Sequence, residues 1–192
     1  LAGFNILLSS MRGQEDIVIG IPGAARQHED LINIVGMFVN TMILKNHVSP
    51  GESFESFLEQ VQKNTLAVLE FQDYPMELIC EELQVPYPSL KVFFNMVNIG
   101  GSPGPLNDFE PRHIPRVQDA KMELTLYLSE FDNGIDIDCH YFTHRFQPGT
   151  VEEILGTYLR ILQNITADHT LPLGRYHKSR EKTKKKLKRL KR

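Results

Sequence analysis

The feature that most constrains this chain is an alternation of apolar and mostly polar residues at positions 122–141. Met122, Leu124, Leu126 and Leu128 form the first apolar series, and Asn133-Gly134 then supplies a pair typical of two-residue turns. The alternation resumes in Ile135, Ile137, Cys139 and Tyr141. Because successive side chains of a strand point to opposite faces, the pattern predicts a β-hairpin with one buried face.

Four other stretches have the apolar spacing and end signals of helices. Residues 2–12 precede Gly13, and Ser53 can cap an apolar stripe that runs to about Glu70. Pro75 opens a short segment that ends near Leu83. Thr150 and Glu153 have the spacing of a capping box at the start of the last helix. The apolar stripe of that helix consists of Val151, Ile154, Leu155, Tyr158, Leu162 and Ile165.

The remaining apolar runs, at 16–22, 34–44 and 91–99, have the composition of strands, and residues 100–118 have that of a long irregular loop. Strands that alternate with helices, followed by an antiparallel hairpin, predict an α/β fold with a mixed β-sheet covered by helices. A length of 192 residues fits one domain with a full core.

The run at 34–44, IVGMFVNTMIL, indicates a buried strand although a side-chain amide and a hydroxyl interrupt it. Strand alternation would place Phe38, Asn40 and Met42 on one face and Thr41 on the other. Asn40 and Thr41 therefore need not share an environment. Buried amides must find partners, so we expect Asn40 to bond to the backbone of a nearby loop.

Charge divides the chain unevenly. Residues 175–192 hold 11 Lys or Arg and one acid, a net +10, while the rest holds 10 basic and 23 acidic residues, a net −13. The tail has the composition of a disordered linker or an added extension, which we prefer to a nucleic-acid site. The sequence has no run long enough to span a membrane and no basic signal-peptide start, so we expect a cytoplasmic protein.

Motifs that carry catalytic or metal chemistry are lacking. The seven histidines include no adjacent pair, and His140 and His144 straddle a predicted strand end, so we expect no metal site. Cys80 and Cys139 lack partner cysteines and are expected to be small buried hydrophobic residues. Asp136 and Asp138 lie on the polar face of the hairpin, where solvated charges are expected.

Three motifs in order resemble a known family. GQEDIVIGIPGAARQHEDL (13–31), IVGMFVNTMIL (34–44) and FQDYPMELICEEL (71–83) are similar to the C-terminal half of a condensation domain from a nonribosomal peptide synthetase. The predicted hairpin and final helix extend this resemblance, so that residues 1–174 would be the subdomain and 175–192 the basic tail. The chain departs from the family pattern at three places. Phe71 stands where the family usually has His or Asn, and Met76 stands where it usually has Phe. The segment VPYPSLK (85–91) replaces the motif RDxSRNPL.

The resemblance implies one half of a two-subdomain, chloramphenicol-acetyltransferase-like fold with a tunnel between the halves. It also implies amide-bond formation between thioesters held on the phosphopantetheine arms of carrier proteins, with no directly bound cofactor. The expected partners are the N-terminal condensation subdomain, peptidyl carrier proteins and an adjacent adenylation domain. The family's HHxxxDG signature belongs to the N-terminal half and is absent here, so we expect no catalytic residue in this chain and no activity from it alone.

The resemblance also selects candidate motif residues near the tunnel. Asp73 could cap the short helix that Pro75 opens, Gly36 suits a close backbone approach, and Arg26 could pair across the cleft or be solvated. Asn40 could instead face the tunnel. The candidate site residues are Arg26, Gly36, Phe38, Asn40, Thr41, Gln72, Asp73, Tyr74 and Pro75.

A second hypothesis treats the chain as a noncatalytic interaction module derived from an acyltransferase fold. A half separated from its partner would expose apolar surface, which promotes association of the chain with itself or with another chain.

Overall fold

A mixed five-stranded sheet forms the centre of the computed structural model, which describes residues 1–97, 120–131 and 134–179. Its order is β2-β1-β3-β4-β5. The pairs β1–β3 and β3–β4 are parallel, and β1–β2 and β4–β5 are antiparallel. The predicted mixed α/β architecture is confirmed. The strands are β1 Asp16–Gly23, β2 Asn40–His47, β3 Val92–Val97, β4 Leu124–Phe131 and β5 Gly134–Tyr141.

The helices in the described part follow the predicted order, with two short additions. They are α1 Ala2–Arg12, α2 Glu29–Ile32, α3 Phe54–Leu69, α4 Met76–Leu83 and α5 Pro148–Ala167, followed by a 3-10 helix at Leu173–Ser179. Two predicted helix ends are confirmed in detail. Gly13 ends α1 in the left-handed conformation at φ 74°, and the Ser53 hydroxyl accepts a bond from the Ser56 N–H at 3.2 Å.

The start of α5 differs from the prediction. The helix begins at Pro148 after Gln147, whose side chain makes no capping bond. Thr150 therefore lies inside the helix, and the predicted capping box is wrong. Proline fixes φ near the helical value and lacks an N–H that would go unpaired, so it starts the helix earlier than the Thr150 signal suggested.

The core lies between one face of the sheet and three helices, α1, α3 and α5. Phe4 of α1 joins the layers, because its ring lies 5.6 Å from that of Phe94 in β3 and 6.0 Å from that of Tyr158 in α5. Residues 2–9 of α1 are all buried. The first helix is thus an interior element and not a surface one.

A chain of three hydrogen-bonded asparagine side chains crosses this mostly apolar core. The Asn46 amide in β2 donates to the Asn5 side-chain oxygen in α1 at 3.3 Å, and the Asn64 amide in α3 donates to the Asn46 oxygen at 3.0 Å. Asn5 in turn donates to the carbonyl of Leu1 at 3.0 Å. Because buried polar groups need partners, this chain fixes α1, β2 and α3 relative to one another.

The predicted hairpin is confirmed as β4 and β5, with differences at its ends. Leu124, Leu126 and Leu128 are buried, whereas Ile135 near the start of β5 is 53% exposed. Phe131 pairs with Gly134, so that glycine belongs to β5 and not to the turn. Asn133, the other predicted turn residue, lies outside the described residues.

The prediction of a buried strand over 34–44 is wrong in its first half. The register between β1 and β2 ends where Gly23 pairs with Asn40, so β2 begins only at Asn40. The residues before it have no strand partner in the described part of the chain. Several of them are exposed instead: Ile34 by 48%, Val35 by 100%, Met37 by 89% and Val39 by 60%.

The described structure continues past the predicted boundary at residue 174. The 3-10 helix Leu173–Ser179 crosses that position, and Tyr176 is buried. Residues 180–192, which hold most of the basic tail, lie outside the described residues, as do the predicted loop at 100–118 and the last residues of the run at 91–99. Among the residues that are described, no helix has the length and apolarity needed to cross a bilayer.

Gly20 provides a test of the sheet packing. A Cβ at this position in β1 would lie 2.5 Å from the ring of Phe93 in the adjacent strand. We expect Gly20→Ala to lower the free energy of unfolding by about 1–3 kcal/mol, the usual cost of overpacking. Urea unfolding measures this; the control Gly149→Ala, which meets nothing within 4 Å, should not be destabilised. Equal stability of Gly20→Ala and wild type would contradict the close β1–β3 packing.

An exposed ion cluster between β1 and β2 predicts a dependence of stability on pH. Hydrogen bonds from His47 and then Lys45 lower the pKa of Asp16 below its ordinary value of 3.8. A carboxylate that is more acidic in the folded state stabilises the fold above the unfolded pKa, and this contribution disappears as pH falls through the folded pKa. The stability difference between wild type and Asp16→Asn should therefore shrink below about pH 4, as measured by urea unfolding; a constant difference would contradict the pairing.

Candidate functional site

The candidate motif residues meet where β1 ends, β2 begins and α3 turns into α4. Asn40 lies at the start of β2, and its amide nitrogen donates to the carbonyls of Gln72 at 3.0 Å and Tyr74 at 2.9 Å. Its side-chain oxygen accepts from the Thr41 N–H at 2.9 Å. The expectation that Asn40 satisfies loop backbone is confirmed, and both of its donor hydrogens are used for this.

Gln72 makes the matching contact to the end of β1. Its side-chain oxygen accepts from the N–H of Ala25 at 3.1 Å, where the backbone turns with a positive φ of 49°. A Cβ at Gly23 would lie 2.9 Å from the Cβ of Gln72. Glycine is therefore required for the close approach of β1 to the turn between α3 and α4.

Arg26 organises the segment between the two strands. Its guanidinium donates to the carbonyls of Leu31, Ile34 and Gly36, the last two at 2.8 and 3.2 Å. The guanidinium carbon also lies 4.1 Å from the ring centroid of Phe38. In the described part of the chain the arginine is therefore not merely solvated. The ion pair across the cleft, the other alternative that the sequence left open, stays a prediction.

Gly36 lies beside the same ring. A Cβ at Gly36 would be 3.2 Å from the edge of Phe38, a distance tighter than most real Cβ contacts. This agrees with the expected close approach. The glycine leaves room for Phe38 to lie against the guanidinium of Arg26.

Pro75 precedes α4 as expected, whereas the expected role of Asp73 is corrected by the structure. Pro75, in extended backbone geometry at φ −65° and ψ 137°, is the residue that precedes α4, and no side chain caps the helix. Asp73 is thus too early in the chain to cap it. Tyr74 instead ties the turn to the helix, because its hydroxyl donates to a Glu82 carboxylate oxygen at 2.6 Å. That bond raises the pKa of Tyr74 above its ordinary value.

Thr41, the remaining candidate, pairs with Pro22 in the β1–β2 register and is half-buried. The structure therefore brings together Arg26, Gly36, Phe38, Asn40, Gln72 and Tyr74 around one corner of the sheet. Each of these contacts goes to backbone or to a neighbouring side chain within the corner. The arrangement is a scaffold that holds loops.

An apolar loop, residues 31–39, projects from this corner. Ile32 is 63% exposed, Met37 is 89% exposed and Val35 is fully exposed. Contiguous exposed apolar side chains of this size are unusual on a free surface and mark interaction sites. The sequence indicated their apolar character correctly and their burial incorrectly.

Other groups considered in the sequence do not form a reactive site. Cys80 is buried and Cys139 half-buried, and burial raises the pKa of the Cys139 thiol to about 11. His140 lies against Tyr127 and His144 against Phe142, with ring centroids 4.9 and 5.0 Å apart. Over residues 1–97, 120–131 and 134–179, no three His, Cys, Asp or Glu side chains are grouped as metal ligands.

Sequence reasoning missed two features of this region. It gave Arg26 no role toward the carbonyls of its own loop, and it did not anticipate the buried asparagine chain of Asn5, Asn46 and Asn64. An asparagine inside an apolar helix, as at Asn5, is a signal that could have indicated the second feature. Nothing local in the sequence indicates the first, because the contact depends on the path of the loop.

Comparison with known proteins agrees with this fold. The family model described as "Condensation domain" matches residues 1–188. The chain is 36% identical over 179 residues to tyrocidine synthase 3 of Brevibacillus parabrevis and 33% identical over 182 residues to surfactin synthase subunit 1 of Bacillus subtilis (strain 168). These alignments cover 90% and 92% of this chain but only 3% and 5% of the two synthases.

Solved structures have the same fold. A four-domain nonribosomal peptide synthetase bound to AMP and glycine superposes with a TM-score of 0.80 at 20% identity, over 91% of this chain and 15% of that one. The first condensation domain of the calcium-dependent antibiotic synthetase superposes with a TM-score of 0.69 at 18% identity, over 90% of this chain and 39% of that one. With its sheet, its motif corner and its match over residues 1–188, the chain belongs to the condensation-domain family of nonribosomal peptide synthetases.

Proposed function

We propose that this chain is the C-terminal subdomain of a condensation domain and works in amide-bond formation only when joined to an N-terminal subdomain. The observation that carries this is coverage. About nine-tenths of the chain superposes on solved condensation domains but spans only 39% and 42% of two of them. The remaining part of such a domain would be the partner half.

The histidine content also supports a catalytic motif in the N-terminal subdomain and not in this chain. The family resemblance places HHxxxDG in the N-terminal subdomain, and no two of the seven histidines here are adjacent. The described contacts around Asn40 hold loops and strands together. On this proposal, the group that orients or deprotonates the attacking amine comes from the other half.

The substrates and neighbours follow from that proposal. Aminoacyl and peptidyl thioesters would arrive on the phosphopantetheine arms of peptidyl carrier proteins, so the arm is a substrate tether and not a cofactor held by this chain. An adenylation domain would stand next in the synthetase, in the cytoplasm. Residues 180–192 would be a basic linker and not a nucleic-acid site.

The exposed apolar loop supports the proposed partner. Val35 and Met37 are 100% and 89% exposed, and burying such side chains stabilises an interface by roughly 25 cal/mol per Å² of apolar surface. We assign the apolar loop to the interface with the N-terminal subdomain. The same loop favours the second candidate function, a noncatalytic module that associates through this surface.

Reconstitution tests the enzymatic proposal. This chain, the N-terminal subdomain of the same condensation domain and two loaded carrier proteins should together yield the condensed thioester, detected by mass spectrometry. The chain without the N-terminal subdomain should yield none, because it lacks the histidine motif. Alanine at both histidines of HHxxxDG in the added half is the control and should abolish product.

Two results would contradict the proposal. Product from this chain and the carriers alone would show that the N-terminal half is not needed. A folded, associated pair that makes no product would favour the noncatalytic module.

Sedimentation of the isolated chain tests the exposed surface. We expect concentration-dependent self-association, because the apolar loop is uncovered, and we expect Val35→Ser with Met37→Ser to reduce it. Leu159→Ser on α5 is a matched control, since Leu159 is 49% exposed but lies outside the loop. A wild-type chain that remains monomeric at high concentration would refute self-association through this surface.

A further inference from the structure

One side chain restrains most of the apolar loop. Arg26 donates to three carbonyls, those of Leu31, Ile34 and Gly36, and thereby ties residues spread over half of the loop to a single point. Arg26 itself directly follows the turn at Ala25 that Gln72 holds. The loop is therefore fastened, through Arg26, to the rigid corner of the sheet.

The loop has few other restraints. Its short-range backbone bonds in the described structure are at its start, from Leu31 N to His28 O and from Ile34 N to Leu31 O, at 3.0 and 3.3 Å. Its apolar side chains from Ile32 to Val39 are mostly exposed and so cannot hold its shape by packing. Phe38 is the exception, being half-buried beneath the guanidinium.

The chemistry of arginine suits this task. A guanidinium presents five N–H donors in a rigid plane, and its flat face stacks on an aromatic ring. Donation to several carbonyls and contact with Phe38 use both properties at once. Lysine keeps the positive charge, but its ammonium group has no planar set of donors and no flat face that could stack on a ring.

We propose that Arg26 is a positioning residue that holds the apolar loop in the shape that docks onto the N-terminal subdomain. This inference rests on the proposed function, in which that subdomain is the partner. A loop that is already ordered loses less conformational entropy on binding, so preorganisation increases affinity without adding a contact. Arg26 thus acts on the interface through backbone carbonyls of the loop and not by touching the partner.

The test measures binding of this chain to the N-terminal subdomain by calorimetry, together with thermal unfolding and amide hydrogen exchange of the free chain. Arg26→Ala should raise the Kd about tenfold and speed exchange within residues 31–38, with the exchange of β1–β5 unchanged. Arg26→Lys should behave like Arg26→Ala. Arg160→Ala is the matched control, because Arg160 is exposed on α5 and donates to Thr157 of the same helix; the Kd of this variant should equal that of wild type.

The double variant Val35→Ser with Met37→Ser separates the two proposals, since it removes apolar contact without touching Arg26. If it weakens binding while Arg26→Ala does not, the positioning role is refuted and the proposed interface stands. If Arg26→Lys binds with wild-type affinity, the planar guanidinium is not needed, and the proposed role of Arg26 is refuted as well. Faster exchange throughout the sheet in Arg26→Ala would show that the arginine stabilises the whole fold and not the loop alone, which would refute the positioning role. If the wild-type chain does not bind the N-terminal subdomain, both proposals are overturned.

Discussion

The contact on which the corner of this fold depends is the amide of Asn40 bonded to two carbonyls of the α3–α4 turn. An amide nitrogen has two hydrogens, and both are used, so two hydrogen bonds hold the first residue of β2 to the turn between α3 and α4. Aspartate has the same shape but would set oxygen against oxygen at both carbonyls. The chemistry of one side chain thus decides where the strand starts and where the helices turn.

Elements with strong local signals were predictable from the sequence. The glycine stop of α1, the serine cap of α3 and the alternation in β4 and β5 each act within a few residues, and the structure contains all of them. Asn40 was also predicted correctly, because an amide in an apolar run must find partners and loop backbone is the common supply. These predictions used rules that do not depend on the rest of the fold.

The failures share a physical cause, since each depended on context beyond the local segment. The apolar residues before Asn40 suggested a buried strand, yet β1 ends at Gly23 and offers no further partner. If the proposed function is correct, those residues are apolar because they are buried against the partner subdomain. The periodicity of this chain's sequence cannot reveal a contact with another subdomain. Asp73 was assigned to a cap because its residue type fits, although the extended geometry of Pro75 sets the start of α4. The contacts of Arg26 within its own loop were not predicted for the same reason, because three carbonyls converge on it only once the loop has folded.

The position of β3 in the middle of the sheet has a consequence for how the chain is made. β3 covers one edge of β1, but it lies roughly 70 residues further along the chain. At about 5–20 residues per second, a ribosome needs roughly 4–14 s to reach it. Until then a nascent β1–β2 pair has an open edge of unpaired N–H and C=O groups, the kind of edge on which strands of other chains can assemble. Synthesis of this chain therefore includes an interval in which a chaperone can protect an open strand edge, and the length of that interval is set by strand order and not by stability.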